Sequence, residues 1–511
     1  MALQWLTLVA TIWLQSFNGT NTNFPSYSSE LKKILSISQL QLNNLAFASD
    51  AGKLMGFISG LAAAYLPLWL VLLIGSFLGL VGYGLQFLFL INKGLDLSYW
   101  HVFALSVLAG NSICWINTVC YILVIKNFPL DRQIAIGLST SYVGLSAKIY
   151  TDIVDVLAPS SSHERAKLFV LLNSVLPLVV SVVVAPLVRD VNEEKSRKLA
   201  GGFFTMFMIT ILTGLFGVIT SLSSSSRFLT RLFVLIGMVL LLLLPLVTPL
   251  VEKVRENFEQ KCRIRVYAEG FGTNCGAMCL EKNEVGSNGR DGIEFEGVEI
   301  GPKLMLRKVE FWLYFFVYLF GATLGLVYLN NLGQIAESRG CSRTSSLVSL
   351  SSAFGFFGRL LPSLLDYFFS KTKCMISRAT AMGAMMAPMC GAFFLLVISQ
   401  HEFSTYISTA IIGICTGAIT SISVSTTTEL FGTKNFGVNH NILVSNIPIG
   451  SFLFGDFAAL LYKRGKNHGE ENCMGEECYR TTFMIWGSLC VLGTLLALVL
   501  HTRTKQLYTH N

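Results

Sequence analysis

Six amides fall inside two apolar runs: Asn18, Asn21 and Asn23 near the start of the chain, and Asn330, Asn331 and Gln334 past its middle. Residues three and four apart share a helix face, so Asn18 with Asn21, and Asn330 with Gln334, each form a polar strip. An unpaired amide in an apolar medium costs roughly 2–7 kcal/mol. The strips must therefore face protein or water, either as hydrogen bonds between helices or as the wall of a path for a polar solute. Lys148 and Asp152 are four apart in SYVGLSAKIYTDIVDV and can pair on one face. A charge in such a helix is a functional candidate by default; the alternatives are a neutralised structural pair or a lysine whose head reaches the interface. If the pair lines a cavity, Asp152 can carry a coupling proton. His440, in Asn439-His440-Asn441, has the side chain that exchanges protons at about pH 6.5; the same cluster also reads as a helix cap. Asp50 and Lys53, three apart, read as a gate pair or a surface pair near the outer end of their helix.

Other chemistry finds little support. There is no HExxH pattern, no nucleophile beside a base, and no GxxxxGK[ST] phosphate loop in the long polar segments. The chain is read as neither an enzyme nor a primary pump. Cys114, Cys120, Cys390, Cys415 and Cys490 lie in apolar runs, where thiols act as small hydrophobes. Cys275 and Cys279 form CxxxC with only Cys262 nearby and no histidine, so neither metal nor cofactor is expected. Cys473 and Cys478 share a polar loop and leave a bridge open.

The elements that carry these residues follow from composition. The 511 residues are 52% hydrophobic and only 13% charged, against about 25% for soluble domains, and mean hydropathy is +0.59. That excludes an ordinary cytosolic enzyme, a nucleic-acid binder and a disordered scaffold. The net charge of +8 sits in short basic clusters between apolar runs, a pattern that sets membrane topology.

A helix needs about 20 apolar residues to cross a bilayer. Fourteen such spans are expected: 4–24, 45–65, 67–91, 99–124, 133–157, 166–188, 200–223, 229–250, 310–335, 344–369, 376–399, 404–428, 438–462 and 480–502. The first span lacks a basic leader and a small-residue cleavage site, so it reads as a retained helix. An even count puts both termini on one side. Arg189, Lys195, Arg197 and Lys198, then Lys253, Arg255, Lys261, Arg263 and Arg265, then Lys371, Lys373 and Arg378, favour the cytosol for that side.

The stretch 251–309 is long and polar, with six glycines from Gly270 to Gly292; it reads as a mobile cytosolic tether, with a regulatory segment as the other reading. The chain thus divides into a six-helix bundle (1–189), a two-helix insertion (190–250), the linker (251–309) and a second six-helix bundle (310–511). The halves echo each other. Lys126-Asn127-Phe128 follows the fourth helix of the first half, and Lys434-Asn435-Phe436 the fourth of the second. Gly56 with Gly60, Gly321 with Gly325 and Gly413 with Gly417 allow close helix approach.

Gly358-Arg359, Asp366, Lys371 and Lys373 resemble the loop motif of the major facilitator superfamily. That resemblance implies a charged latch closing the cytosolic side. The first-half counterpart, LAAAYLPLW at 61–69, holds no charge. The strings WLTLVATIWLQSFNGTNTNFPSYSSELK, FASDAGKLMG, LNNLGQIAES and FGVNHNILVSNIPIGS resemble plant nodulin-like proteins, also described as the nuclear fusion defective type. The resemblance implies an all-α polytopic membrane protein of the major facilitator superfamily fold: two six-helix bundles with two additional helices between them.

It also implies a central cavity lined by the first and fourth helices of each half, helped by the second and fifth. Carried onto this chain, the substrate-binding candidates are Asn18, Asn21, Asn23, Asn111, Asn117 and Tyr142 in the first half. In the second they are Tyr328, Asn330, Asn331, Gln334, Ser421, Ser425, His440 and Asn446. The proton-coupling candidates are Lys148, Asp152 and His440. With Arg359 assigned to the latch, the cavity holds little positive charge, which favours a neutral polar solute or a monocarboxylate over a dicarboxylate. The expected function is a secondary transporter working by alternating access, proton-coupled or not; a membrane receptor that has kept the transporter fold is the alternative. Expected partners are the lipid bilayer, a small solute and protons, with no nucleic acid and a monomeric chain.

Overall fold

The computed structural model describes residues 2–91, 97–158, 162–189, 200–222, 228–270, 299–341, 344–369, 377–464 and 473–505. These residues form fourteen antiparallel rods. The first six cover 2–35, 39–65, 68–91, 99–127, 132–157 and 162–187. Two more follow at 200–222 and 228–270. The last six cover 309–338, 344–369, 378–398, 402–431, 436–464 and 480–504. Because successive rods reverse direction, the face holding the N-terminus and the distal face can be followed along the whole chain.

Ten rods contain a helix long and apolar enough to cross a membrane. The other four are the first, second, fifth and tenth. The first and fifth bury most of their side chains in protein, where polar groups find partners instead of lipid.

Three boundaries differ from expectation. The first rod does not end at residue 24. Its helix Ala2–Asn18 gives way to a 3-10 turn at Thr20–Asn23 and resumes at Pro25–Leu35, because proline is tolerated in a helix's first turn. The second rod starts at Gln39, not 45: Ser38 and Gln41 form a reciprocal capping box that satisfies otherwise orphaned donors. The eighth rod continues as the helix Val247–Gly270, so the first part of the supposed tether is helical. Glu, Lys, Arg and Gln between 252 and 261 are good helix formers, a local signal lost when the polar stretch is read as one piece. Residues 271–298 lie outside the described residues.

Within the first half, the fourth rod packs on the first and third, the third on the sixth, and the first on the fifth. Within the second, the twelfth packs on the tenth and eleventh, and the fourteenth on the ninth and eleventh. The halves meet where the second rod packs on the thirteenth and the fifth on the tenth. Counting each half from its own start, this is a second helix against a fifth helix, made twice. It is the contact pattern of a pseudo-two-fold molecule. The inserted rods pack on each other and, through the seventh and eighth, on the fifth and tenth.

Close approach sets the second-to-thirteenth contact. A Cβ on Gly60 would lie 2.3 Å from the carbonyl carbon of Gly437, so only glycine fits there. On the distal side, Cys473 and Cys478 form a disulfide in the loop before the fourteenth rod.

Candidate functional site

Most of the expected lining residues turn out to hold helices together. Asn18 donates to Asn117 Oδ1 at 2.9 Å and to the Ile113 carbonyl at 3.3 Å, joining the first and fourth rods. Asn23 donates to Asn173 Oδ1 at 2.8 Å, toward the sixth rod. Asn111 accepts from Trp115 Nε1 on its own helix at 2.9 Å. Tyr142 bonds Thr210 of the inserted seventh rod at 3.3 Å, and Tyr328 bonds Thr409 at 2.9 Å. Asn331 turns back onto the Val327 carbonyl at 2.8 Å, and Gln334 accepts from the Tyr479 hydroxyl at 3.1 Å. Asn446 accepts from Thr323 at 2.6 Å. Ser421 and Ser425 face Gln133 of the fifth rod: Gln133 Nε2 donates to Ser421 at 3.4 Å, and Ser425 donates to Gln133 Oε1. Only Asn21 stays half-buried without a side-chain hydrogen bond among the described residues.

His440 is buried, bonded through Nδ1 to Thr427 at 3.1 Å, stacked on Phe436 and met edge-on by Tyr121. It packs inside the rod rather than capping it. Nearby, Asn441 reaches across the halves to Thr118 at 2.8 Å. These contacts lie toward the N-terminal face. Lys148 does pair with Asp152, at 2.5 Å, and both line a cavity of about 700 Å³ between the halves and the inserted rods. Asp155, Arg165 and Arg231 share that wall with Thr22, Thr220, Ser221 and Ser352.

The expected latch is not formed as read. Asp366 pairs with Arg378 at 2.7 Å, and Arg378 reaches Glu429 at 2.9 Å. All three belong to the second half, so the network braces one bundle and does not join two. Arg359 is one helical turn or more too far into its rod to reach Asp366. Lys371 and Lys373 lie outside the described residues. Freed from the latch, Arg359 interacts electrostatically with Tyr121 of the fourth rod and Tyr318 of the ninth. Its guanidinium has no hydrogen bond or ion pair among the described residues.

Tyr318 also interacts with Lys53 of the second rod. Lys53 is 8% exposed and Asp50 5%, so this is no surface pair. The early start of the second helix puts Asp50 about 16 Å along its rod, well inside the protein. Lys53 Nζ donates to Asp50 Oδ1 at 2.6 Å. Asp50 Oδ2 accepts from Asn330 Nδ2 at 3.3 Å and Ser451 Oγ at 2.8 Å, both from the second half. Phe47 and Phe452 meet beside this node with ring centroids 5.8 Å apart. Of the expected amides, Asn330 alone reaches the charged centre. Tyr121 and Tyr318 near Arg359, Ser451 at Asp50, and Gln133 at Ser421 and Ser425 were not expected. Aromatic, amide and hydroxyl side chains recur along these spans, and no spacing distinguished these four.

The fold, two six-helix halves that meet through a repeated pair of contacts with two further rods inserted between them, is that of a multi-pass integral membrane protein of the major facilitator type. The bromo-deoxyglucose complex of the major facilitator proton:xylose symporter XylE superposes with a TM-score of 0.57 at 12% identity, covering 96% of this chain and 94% of that one. A double-tryptophan variant of XylE does so with the same score over 97% and 94%. The chain belongs to the nodulin-like family: the Nodulin-like family model matches residues 4–251, and the NFD4 C-terminal domain matches 294–510. The Arabidopsis thaliana protein NUCLEAR FUSION DEFECTIVE 4 is 40% identical over 534 residues, covering 99% of this chain and 89% of that protein. A protein of Gibberella zeae named probable transporter MCH1 is 24% identical over 34% of this chain and 37% of its own length.

Proposed function

We propose that the chain is a secondary carrier that moves a small monocarboxylate across its membrane by alternating access. The observation that carries this reading is Arg359: an interior guanidinium without an ion-pair partner among the described residues, flanked by phenols from both halves. Arg359 is half-buried, so its guanidinium remains open to an incoming anion. A guanidinium fork matches a carboxylate in two parallel hydrogen bonds, and Tyr121 and Tyr318 supply hydroxyls for the remaining lone pairs. A site built from both halves can face either side as the halves rock about their paired contacts. One central guanidinium suits one carboxylate better than two.

Residues 1–189 and 310–511 are proposed as the moving bodies, with 190–250 docked across the fifth and tenth rods. XylE is a proton:xylose symporter and the Gibberella protein is named a probable transporter, which is in keeping with carriage by this chain. The Cys473–Cys478 bond sits in a distal loop. Disulfides persist in oxidising compartments, which supports placing both termini in the cytosol.

The test is uptake of labelled pyruvate, oxalate and glucose by the purified full chain in liposomes. Pyruvate is expected to accumulate above protein-free vesicles and to be lost in Arg359→Gln by more than about tenfold, the equivalent of about 1.4 kcal/mol of lost binding. Glucose uptake that survives Arg359→Gln, with no pyruvate uptake by the wild type, would replace the carboxylate with a neutral solute.

A further inference from the structure

We infer that Asp50 is the proton-binding residue of this carrier, and that a proton on Asp50 and a substrate carboxylate beside Lys53 together replace the buried ion pair of the empty protein. The inference rests on the carrier reading above and deepens it.

The groups bonded to Asp50 can all donate to it. Lys53 holds Oδ1, and Asn330 and Ser451 hold Oδ2, an arrangement that suits the ionised carboxylate. The same three bonds do two separate jobs. The Lys53 bond stays within the second rod and neutralises its charge. The other two tie that rod to the ninth and thirteenth, and so tie one half to the other beside the Phe47–Phe452 contact.

The surroundings leave few competing titrations. From its own rod Asp50 faces Lys53, and from the fourth rod Cys114 interacts with both members of the pair. The ninth rod brings Asn330 and Tyr318, the latter acting on Lys53. The thirteenth brings Ser451. Lys53 is the cation next to Asp50, and it shares Tyr318 with Arg359.

Charge balance follows. The empty protein holds Asp50 as an anion and Lys53 as a cation. A water-borne proton binds a carboxylate oxygen of Asp50, breaking no covalent bond. The substrate anion then takes over as counter-ion to Lys53 and Arg359. The exchange leaves the net charge of the site unchanged, one proton in for one anion in, with one positive charge in excess both before and after. A neutral carboxyl accepts weakly from Asn330 and Ser451, which loosens the tie between the halves as the cargo arrives. Transport is thus a proton–monocarboxylate symport that a pH gradient drives.

The test has a substrate-free arm and a transport arm, both on the reconstituted full chain. In infrared difference spectra, acidification should bring up a protonated-carboxyl band that Asp50→Asn lacks. Lys53→Gln, which removes the donor to Asp50 Oδ1, should shift that band's frequency. In liposomes, wild-type pyruvate accumulation should follow an imposed pH gradient, while Asp50→Asn should move pyruvate at a rate the gradient no longer sets. A band unchanged in both variants overturns the inference. If Asp50→Asn does not fold, the Lys53→Gln shift decides alone. A wild type that takes up no pyruvate removes the carboxylate reading and leaves the band to judge Asp50.

Discussion

Arg378 occupies the position where Arg359 was expected to act. It reaches Asp366 and Glu429 from the start of its own rod, and the consequence is that Arg359 is left to face Tyr121 and Tyr318. The two arginines should therefore respond differently to neutralisation. Arg378→Gln leaves two carboxylates without their cation. With side-chain exposures of 18–34% in this cluster, water offsets part of the cost, so a loss near the lower end of about 1–3 kcal/mol is expected. A fall in the melting temperature of the detergent-purified protein reads it. Arg359→Gln should instead leave the melting temperature nearly unchanged, since Arg359 is half-buried and has no ion pair to lose among the described residues, and it should act on uptake. The amides teach a related lesson. That Asn18 and Asn23 had to face inward was legible, because lipid gives an amide no partner; Asn330 bonds Asp50 but is itself exposed. The partners of all three were not legible. A rotation of one residue moves a side chain about 100° around its helix, so the sequence does not distinguish an amide facing a neighbour, as Asn18 does, from one facing a charged centre, as Asn330 does.

The elements were legible in number and order, and misread mainly at their polar ends. The capping box at Ser38 and Gln41 moved Asp50 from an outer end to the interior, and with it the meaning of the Asp50–Lys53 pair. Hydropathy alone cannot see this, because the residues it adds, Gln39 to Asn44, are polar or mixed. The small-xxx-small spacing of Gly56 and Gly60 correctly signalled a close contact, but its partner, Gly437, lies in the other half and carries no matching local signal. Gly60→Val should be severe. Its Cβ would meet the Gly437 backbone at 2.3 Å, and an overpacked contact costs roughly 1–3 kcal/mol or forces the rods apart. A melting temperature equal to that of the wild type would mean the second and thirteenth rods do not approach as closely as described.

At the scale of the whole molecule, the two halves are joined twice by equivalent contacts, and the joints are unequal along their length. Toward the N-terminal face, Gly60 abuts Gly437, Asn441 reaches Thr118, and Ser363 donates to the Gln133 carbonyl at 2.6 Å. Toward the distal face, the fifth and tenth rods separate enough to wall a cavity of about 700 Å³ with the inserted rods, while the Asp50 node still ties the second rod to the ninth and thirteenth. That asymmetry fits one state of the proposed rocking carrier, while the repeat echo of Lys126-Asn127-Phe128 and Lys434-Asn435-Phe436 is the trace in the sequence of the equivalence of the halves. The inserted pair contributes Arg231 and Thr220 to the cavity wall, which no repeat argument anticipates because neither half has a counterpart.

The central claim is that the halves rock, exposing the Arg359 centre to each face in turn. Paired spin labels test it directly: Leu157 with Ile398 on the distal face, and Leu130 with Leu306 on the N-terminal face, all exposed positions on opposite halves. On adding pyruvate at low pH, the two distances measured by pulsed electron resonance should change in opposite directions. Distances that stay fixed, or that lengthen and shorten together, would contradict the account.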